Sequence, residues 1–482
     1  MAKGKMKKII SFIKKYWLFV VLGFLVVFLY TYNLDKNSRF IWDESRALVD
    51  MHRIWEQKQI TFVGPISDDR LEMFPSLSYY MYMPASVLTN FDPLGPAYMA
   101  SFYGVLAWIL LTITIIKTFG NTKKSFFLSL LIASLWPVMV ASRWAWNPNP
   151  VIFWMSLFVF SISTKNPLLV FLGGVSLGAS LYLHYLAALG VLPAILFLPV
   201  LFKGSKVMVK RIVITLAGFA FAIIPFVLFE LKNHFFLNSS AFLSANEKSF
   251  VTLSGVGFFE RLWNSLVVFS TSFVPNNLFA IIFFIVIFVS IFYVYQKDKL
   301  LKYSFFALLA SLILFGFVNV TYPHYQYVQV PLAMLFFLRF FYLNKNIFGK
   351  ILLGVFLVVS LNGALNLLNS YTWQGDIAAV RNVTRHLLEE KNPNANVAAL
   401  ASQDPNLYGQ RYRDMALING KTLSAFDKFP QSEVLFVVSA SSDPEVLRND
   451  RAWEIESFKG STITNTWKVS DYSLYLYRFE KL

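Results

Sequence analysis

Apolar runs long enough to cross a lipid bilayer recur along most of this chain, and they remove most soluble folds from consideration. A spanning helix needs about 20 mostly apolar residues. Runs near 16–32, 97–116, 125–141, 150–163, 167–183, 186–202, 211–229, 278–295, 303–320, 327–343 and 351–369 meet or approach that length. Lys and Arg alternate with them. Lys3, Lys5, Lys7, Lys8, Lys14 and Lys15 precede the first run, and Lys117, Lys123 and Lys124 follow the second. Lys165 follows the fourth, and Lys203, Lys206, Lys210 and Arg211 follow the sixth. Lys297, Lys299 and Lys302 come after the eighth, and Arg339, Lys345 and Lys350 come with the tenth. Cytoplasmic loops are enriched in Lys and Arg. All these clusters share one side if the N-terminus is cytoplasmic and the chain crosses about 11 times, which leaves the C-terminus outside. The first run lacks a small-residue cleavage site after Phe28-Leu29-Tyr30 and reads as an uncleaved signal anchor.

Only 15% of the residues are charged, against about 25% in soluble domains. The net charge of +16 could suggest a nucleic-acid partner, but its distribution argues against one. Residues 1–370 hold 30 Lys and Arg against 13 Asp and Glu, whereas residues 371–482 hold 13 against 14. The basicity belongs to the apolar part, where membrane topology accounts for it. The absence of cysteine excludes disulfides, a thiol nucleophile and Cys-ligated metals.

With this orientation, 12 of the 13 acids before residue 371 face outward, and only Asp298 is cytoplasmic. The first outer loop, 33–96, holds Asp35, Asp43, Glu44, Asp50, Glu56, Asp68, Asp69, Glu72 and Asp92. Carboxylates contribute little to topology signals, so this bias points to a reaction site at the outer face. The loop contains a helix-like run from Trp42 to Lys58, with acid–base pairs such as Arg46/Asp50 at helical spacing. It ends in FPSLSYYMYMPA, which reads as an interfacial segment. A second outer connection is SRWAWNPNP (Ser142–Pro150). The third, 230–277, carries an amphipathic stretch from Phe258 to Phe269.

After Ser370 the composition changes. WQGDIAAVRNVTRHLLEE reads as an amphipathic helix, NVAALAS and EVLFVVSA as short buried strands, and YSLYLYRF as an alternating strand. The expected division is therefore a membrane domain of residues 1–370, including the first outer loop, followed by a small extracytoplasmic α/β domain, 371–482.

Several residues could carry chemistry, each with a plainer alternative. In FIWDESRA, Asp43 and Glu44 stand at the mouth of the first span. One ionised carboxylate could serve as a general base, or the pair could cap a helix N-terminus. Arg143 could fork onto phosphate oxygens, or anchor the interface beside Trp144 and Trp146. His184 and His324 lie at outer span ends among aromatics, where either could be an ordinary turn histidine. No HExxH or paired-histidine spacing occurs.

Together these segments resemble the GT-C membrane glycosyltransferases, and more closely the protein O-mannosyltransferase and aminoarabinose-transferase branch. The resemblance rests on the DE pair in a long first outer loop, then SRWAWNPNPVIFW, SLYLHYLAALGVLP, IIPFVLFELKNHFF and TYPHYQYVQVPLAM, in that order. It covers roughly residues 16–370. It implies an all-α polytopic fold and an inverting transfer of sugar from a polyprenyl-phosphate carrier to a protein, lipid or glycan acceptor. It also implies an Asp general base, Asp43, with Glu44 as its partner, and neither metal nor cofactor. A second acid that some branches carry is missing from SRWAWNPNP, so Asp68, Asp69 or Glu72 would have to supply it. Arg143 is the candidate phosphate clamp, with His184 and His324 behind it. The competing classes are a transporter or flippase of lipid-linked glycans and a non-catalytic glycan-assembly protein. A transporter would place charges or broken helices near the bilayer midplane, and the runs here are nearly free of ionisable residues.

Overall fold

The computed structural model describes residues 2–66, 73–202, 207–237, 257–273, 276–294, 298–318, 321–369, 377–400, 408–471 and 473–481. The chain forms two compact units. One comprises Met1–Tyr32, Phe62–Ser78 and Ala100–Leu368, and the other Asn33–Thr61, Tyr79–Met99 and Asn369–Leu482.

The first unit is almost entirely helical. Each of the eleven apolar runs coincides with a helix or a helix pair. Among the described residues, four helical stretches, Lys14–Thr31, Leu94–Phe119, Met208–Lys232 and Ile347–Asn369, are long and apolar enough to cross a membrane, and Leu94–Phe119 begins in the second unit. Shorter apolar helices include Val151–Ile162, Pro167–Leu183, Ala280–Val294 and Val330–Leu343. Two of the expected spans are interrupted. The run at 125–141 is Lys123–Ser134 followed by Trp136–Ala141, the break falling at Leu135 just before Pro137, which has no N–H to continue the ladder. The run at 186–202 is likewise divided into Ala188–Leu196 and Leu198–Phe202. Phe24, Phe221, Phe288 and Phe292 each expose 65% or more of their surface, an arrangement that lipid solvates and water does not.

Small residues set the closest helix contact. A Cβ on Gly174 would stand 1.9 Å from the Thr215 carbonyl oxygen, and one on Gly218 would stand 2.1 Å from that of Phe171. The helices Pro167–Leu183 and Val207–Lys232 therefore meet backbone to backbone, as small residues permit in membranes. The Tyr182 hydroxyl adds a hydrogen bond to the Ala222 carbonyl at 2.6 Å. A short antiparallel pair, β1 (Val63–Ile66) and β2 (Met73–Pro75), also belongs to this unit. It is joined to the helices by the stacked pair Phe62–Phe229 and by the Tyr185 hydroxyl, which donates to the Met73 carbonyl at 2.6 Å.

The second unit is mixed. Its sheet has the order β3 (Ala395–Ala399), β4 (Val434–Ser439), β6 (Leu474–Glu480), β5 (Thr462–Ser470). β3 and β4 run parallel, and the remaining pairings are antiparallel. Every residue of β3 and β4 is buried, which is why Val434–Val438 of β4 reads as a continuous apolar run rather than an alternating one, while β3 buries Asn396, whose amide donates to the Ser432 hydroxyl. Leu435, Val437, Tyr477 and Phe479 form one core with Phe429, Leu447, Ile455 and Phe458. The helix Ile377–Glu389 turns Ile377, Val380, Val383 and Leu387 inward, and its His386 stacks on Trp467 of β5 at 4.3 Å.

The packing differs from the expected division at residue 370. Segments 33–61 and 79–99, which hold most of the first loop and the first residues of the second apolar run, cluster with the C-terminal part. Polar and buried ties within the second unit account for this. Lys36 pairs with Asp471 at 2.6 Å, Arg381 pairs with Asp92, and the Ser45 hydroxyl donates to Asp414 at 2.6 Å. FPSLSYYMYMPA, expected as an interfacial segment, contributes β2 and then a helix, Leu77–Leu88, that runs through Pro84.

Candidate active site

The DE pair opens the helix Trp42–Gln57 of the second unit. The chain arrives extended at Ile41. The Glu44 carboxylate, 5% exposed, reaches back to accept the Ile41 backbone N–H at 2.8 Å. This satisfies one of the donors that a helix start leaves unpaired, so Glu44 fixes where the helix begins. Adjacent residues differ by about 100° around a helix, so Asp43 points elsewhere. Its Oδ1 accepts from the Arg46 guanidinium at 2.5 Å, with side-chain exposures of 22% and 30%. A partly exposed helical pair of this kind contributes only roughly 0.3–0.5 kcal/mol. Asp50, one turn further on, accepts from the Tyr79 hydroxyl at 2.8 Å and lies 3.6 Å from Arg53. Burial, and then Asp50, push the Tyr79 phenol well above its usual range, so it stays a proton donor. Asp43, Arg46 and Asp50 form a polar face, whereas Glu44, Ser45, Leu48 and Met51 are buried on the other.

On that buried side the helix meets Gln410–Ile418. Asp414 accepts from Ser45 at 2.6 Å and from Gln410 at 2.7 Å. Burial raises its carboxyl to about 6 despite both hydrogen bonds, which pull the other way.

The helical unit carries a separate aromatic–histidine cluster. Trp144 stacks on Trp146 at 4.3 Å, and Trp146 meets His324 at 4.2 Å. His324 stands 5.8 Å from His184 between ring centres, and Tyr325 lies against both. Phe74 packs on His184 from the hairpin side. His184 Nδ1 accepts the Leu186 N–H at 3.3 Å, and burial lowers the imidazole to about 4. The ring is therefore neutral, with its proton on Nε2, a donor rather than a cation. The structure thus brings His184 and His324 together, as two separate sequence motifs did not reveal.

Arg143 has a different setting. It is 2% exposed, and its two terminal nitrogens donate to the Leu29 and Tyr32 carbonyls, each at 2.6 Å. These carbonyls lie at the end of the first helix, Ala2–Thr31, where acceptors lack intrahelical partners and the dipole favours a cation. The expected phosphate clamp has the geometry of a helix C-cap. Asp68, Asp69 and Glu72 lie outside the described residues.

Some of this set has a sequence signal and some does not. Arg46 follows Asp43 at helical spacing and could have been chosen for that reason. Tyr79 and Asp414 come from segments 36 and 371 residues away from Asp43, with no local pattern to mark them.

Neither a family model nor a curated protein matches the chain. Solved structures do. The crystal structure of ArnT from Cupriavidus metallidurans bound to undecaprenyl phosphate superposes with a TM-score of 0.57, covering 97% of this chain and 98% of that one at 11% identity. The chain has the ArnT fold. The apo form of the same ArnT agrees, with a TM-score of 0.53 over 96% and 97% of the two chains, again at 11% identity. The match to ArnT spans nearly the full length of both chains. The fold implied by the sequence resemblance is of this ArnT type.

Proposed function

We propose that this protein is an integral membrane glycosyltransferase. It moves a sugar from a polyprenyl-phosphate carrier to a hydroxyl of a protein, lipid or glycan acceptor on the extracytoplasmic side. The observation that carries the reading is the half-exposed Asp43–Arg46 pair, on a chain sharing its fold end to end with ArnT, which has been crystallised with undecaprenyl phosphate. Asp43 takes the acceptor hydroxyl proton as the acceptor oxygen bonds to the anomeric carbon. The bond from that carbon to the phosphate oxygen breaks on the opposite face, inverting the centre, and polyprenyl phosphate leaves with the electron pair. Arg46 holds the Asp43 carboxylate in one orientation. Within the helical unit, His184, a neutral N–H donor, and His324 are the candidates for phosphate contacts, and Trp146 offers a flat apolar face.

The donor class is testable directly. Purified protein in lipid, supplied with acceptor, should transfer label from a polyprenyl-phosphate sugar and none from a nucleotide sugar. Transfer from the nucleotide sugar in lipid-free detergent would overturn the assignment. In the sequence no Gly-rich phosphate loop follows an expected strand, and none of the expected cytoplasmic loops is large enough for a nucleotide-binding unit.

The same reading requires an odd number of crossings with the N-terminus cytoplasmic. Alkaline phosphatase fused after Leu482 should be active, and green fluorescent protein at the same place should be dark. The reverse pattern would put the second unit, and Asp43 with it, on the cytoplasmic side, and would end the proposal of an outward-facing site.

A further inference from the structure

The helix that bears Asp43 is gripped at both ends of its first turn by one short helix from the last quarter of the chain. Arg411, 2% exposed, donates from its guanidinium to the Phe40 carbonyl at 3.3 Å, just ahead of the turn. The same guanidinium donates to the Tyr412 hydroxyl at 3.0 Å and lies over the Tyr412 ring, which fixes its direction. Asp414 accepts from Ser45 at 2.6 Å, inside the turn. Ser45 is completely buried, and its bond to Asp414 is shorter than its local one to the Trp42 carbonyl at 3.1 Å. Asp43 sits between these two anchor points. Other ties join the same parts of the unit, Lys36 to Asp471 and Arg381 to Asp92, but they are substantially exposed. Ion pairs of that kind are screened and geometrically loose, so the buried contacts set the helix orientation.

We propose that Asp414 and Arg411 are positioning residues for the transfer reaction, locking the first turn of the Trp42–Gln57 helix so that the Asp43 carboxylate keeps one fixed aim. The proposal rests on the reading of Asp43 as general base. Loosening the turn lets the carboxylate swing, and misplacement of a reacting group by about 1 Å can cost 10²-fold in rate. Neither residue touches substrate. Their loss therefore acts on the chemical step and leaves donor binding intact.

The test uses full-length protein in lipid nanodiscs with saturating polyprenyl-phosphate sugar and acceptor. Turnover per folded molecule, donor KM and melting temperature are measured for Ser45→Ala, Asp414→Ala, Asp414→Asn, the Ser45→Ala/Asp414→Ala double variant and Asp43→Asn. Asp414→Ala should lower kcat about 10–100-fold with donor KM within about twofold of wild type. Asp414→Asn should recover most of the rate, because an amide oxygen still accepts from Ser45. The double variant should be no worse than the more damaging single one, because both remove the same bond. A lowered melting temperature with unchanged kcat in every Ser45 and Asp414 variant would reduce these residues to structural supports and overturn the proposal, as would additive losses in the double variant. If Asp414→Ala does not fold, Ser45→Ala and Asp414→Asn decide by the same criteria. Asp43→Asn separates the two ideas. Full activity there removes the general base itself, whereas an inactive Asp43→Asn beside fully active Asp414 variants removes only the positioning role.

Discussion

Asp43→Asn is expected to lower turnover by about 10²–10⁴-fold, the range for lost acid–base catalysis, while the protein folds and binds donor normally. The substitution keeps the side-chain volume, and an amide oxygen can still accept from Arg46, so neither the helix nor the pair with Arg46 at 2.5 Å is dismantled. What disappears is the ability to take a proton. Glu44→Gln provides the internal contrast. Its amide oxygen still accepts the Ile41 N–H, so its activity should stay close to wild type. Glu44→Ala removes that cap at a cost of about 1 kcal/mol, and its effect should appear in the melting temperature rather than in the chemical step. Initial rates at saturating substrates, with donor affinity measured separately, distinguish these cases. Wild-type turnover in a well-folded Asp43→Asn protein would falsify the general-base assignment.

Arg143→Ala is expected to be mainly a folding defect. The side chain supplies hydrogen bonds to two carbonyls at the end of the first helix, and losing a partner for a buried acceptor costs about 1–3 kcal/mol each. That is a large share of the roughly 5–15 kcal/mol by which a typical domain is stable. Thermal unfolding in lipid should shift down by several degrees, with poor yield, while the folded fraction retains near-normal donor affinity. Arg143→Lys should restore only part of the stability, because one ammonium cannot span both acceptors as a planar fork does. Unchanged thermal stability together with a tenfold loss of donor affinity would instead return Arg143 to the phosphate.

How much of this could be seen in the sequence depended on whether the relevant signal was local. The apolar runs are local, and each coincides with a helix, as does the run beginning at Trp42. The interruption at Leu135 was also within reach, since Pro137 stands two residues on. β4 was legible because burial on both faces leaves a continuous apolar stretch, Val434-Leu435-Phe436-Val437-Val438. β5 was not, because as an edge strand it exposes much of TITNTWKVS, and the alternation of Ile463, Trp467 and Val469 is broken by polar Asn465, where the register also shifts. Arg143 illustrates a different limit. An arginine between tryptophans has the same sequence whether it faces a phosphate or closes a helix end, and only the position of the Leu29 and Tyr32 carbonyls distinguishes the two. The link from Ser45 to Asp414 spans 369 residues and leaves no trace in any window of sequence.

That separation also has a consequence in time. A chain threaded into a membrane from its N-terminus presents the Trp42–Gln57 helix early, but the residues that grip it emerge only after ten further apolar runs have been made. Until Gln410–Ile418 arrives, the helix start keeps its Glu44 cap but lacks the contacts to Arg411 and Asp414. Contacts this distant along a chain form late. On the proposed reading of Asp43 and its positioning contacts, a nascent or prematurely ended chain would be inserted with this carboxylate not yet held in place, and transfer would wait until synthesis is nearly finished.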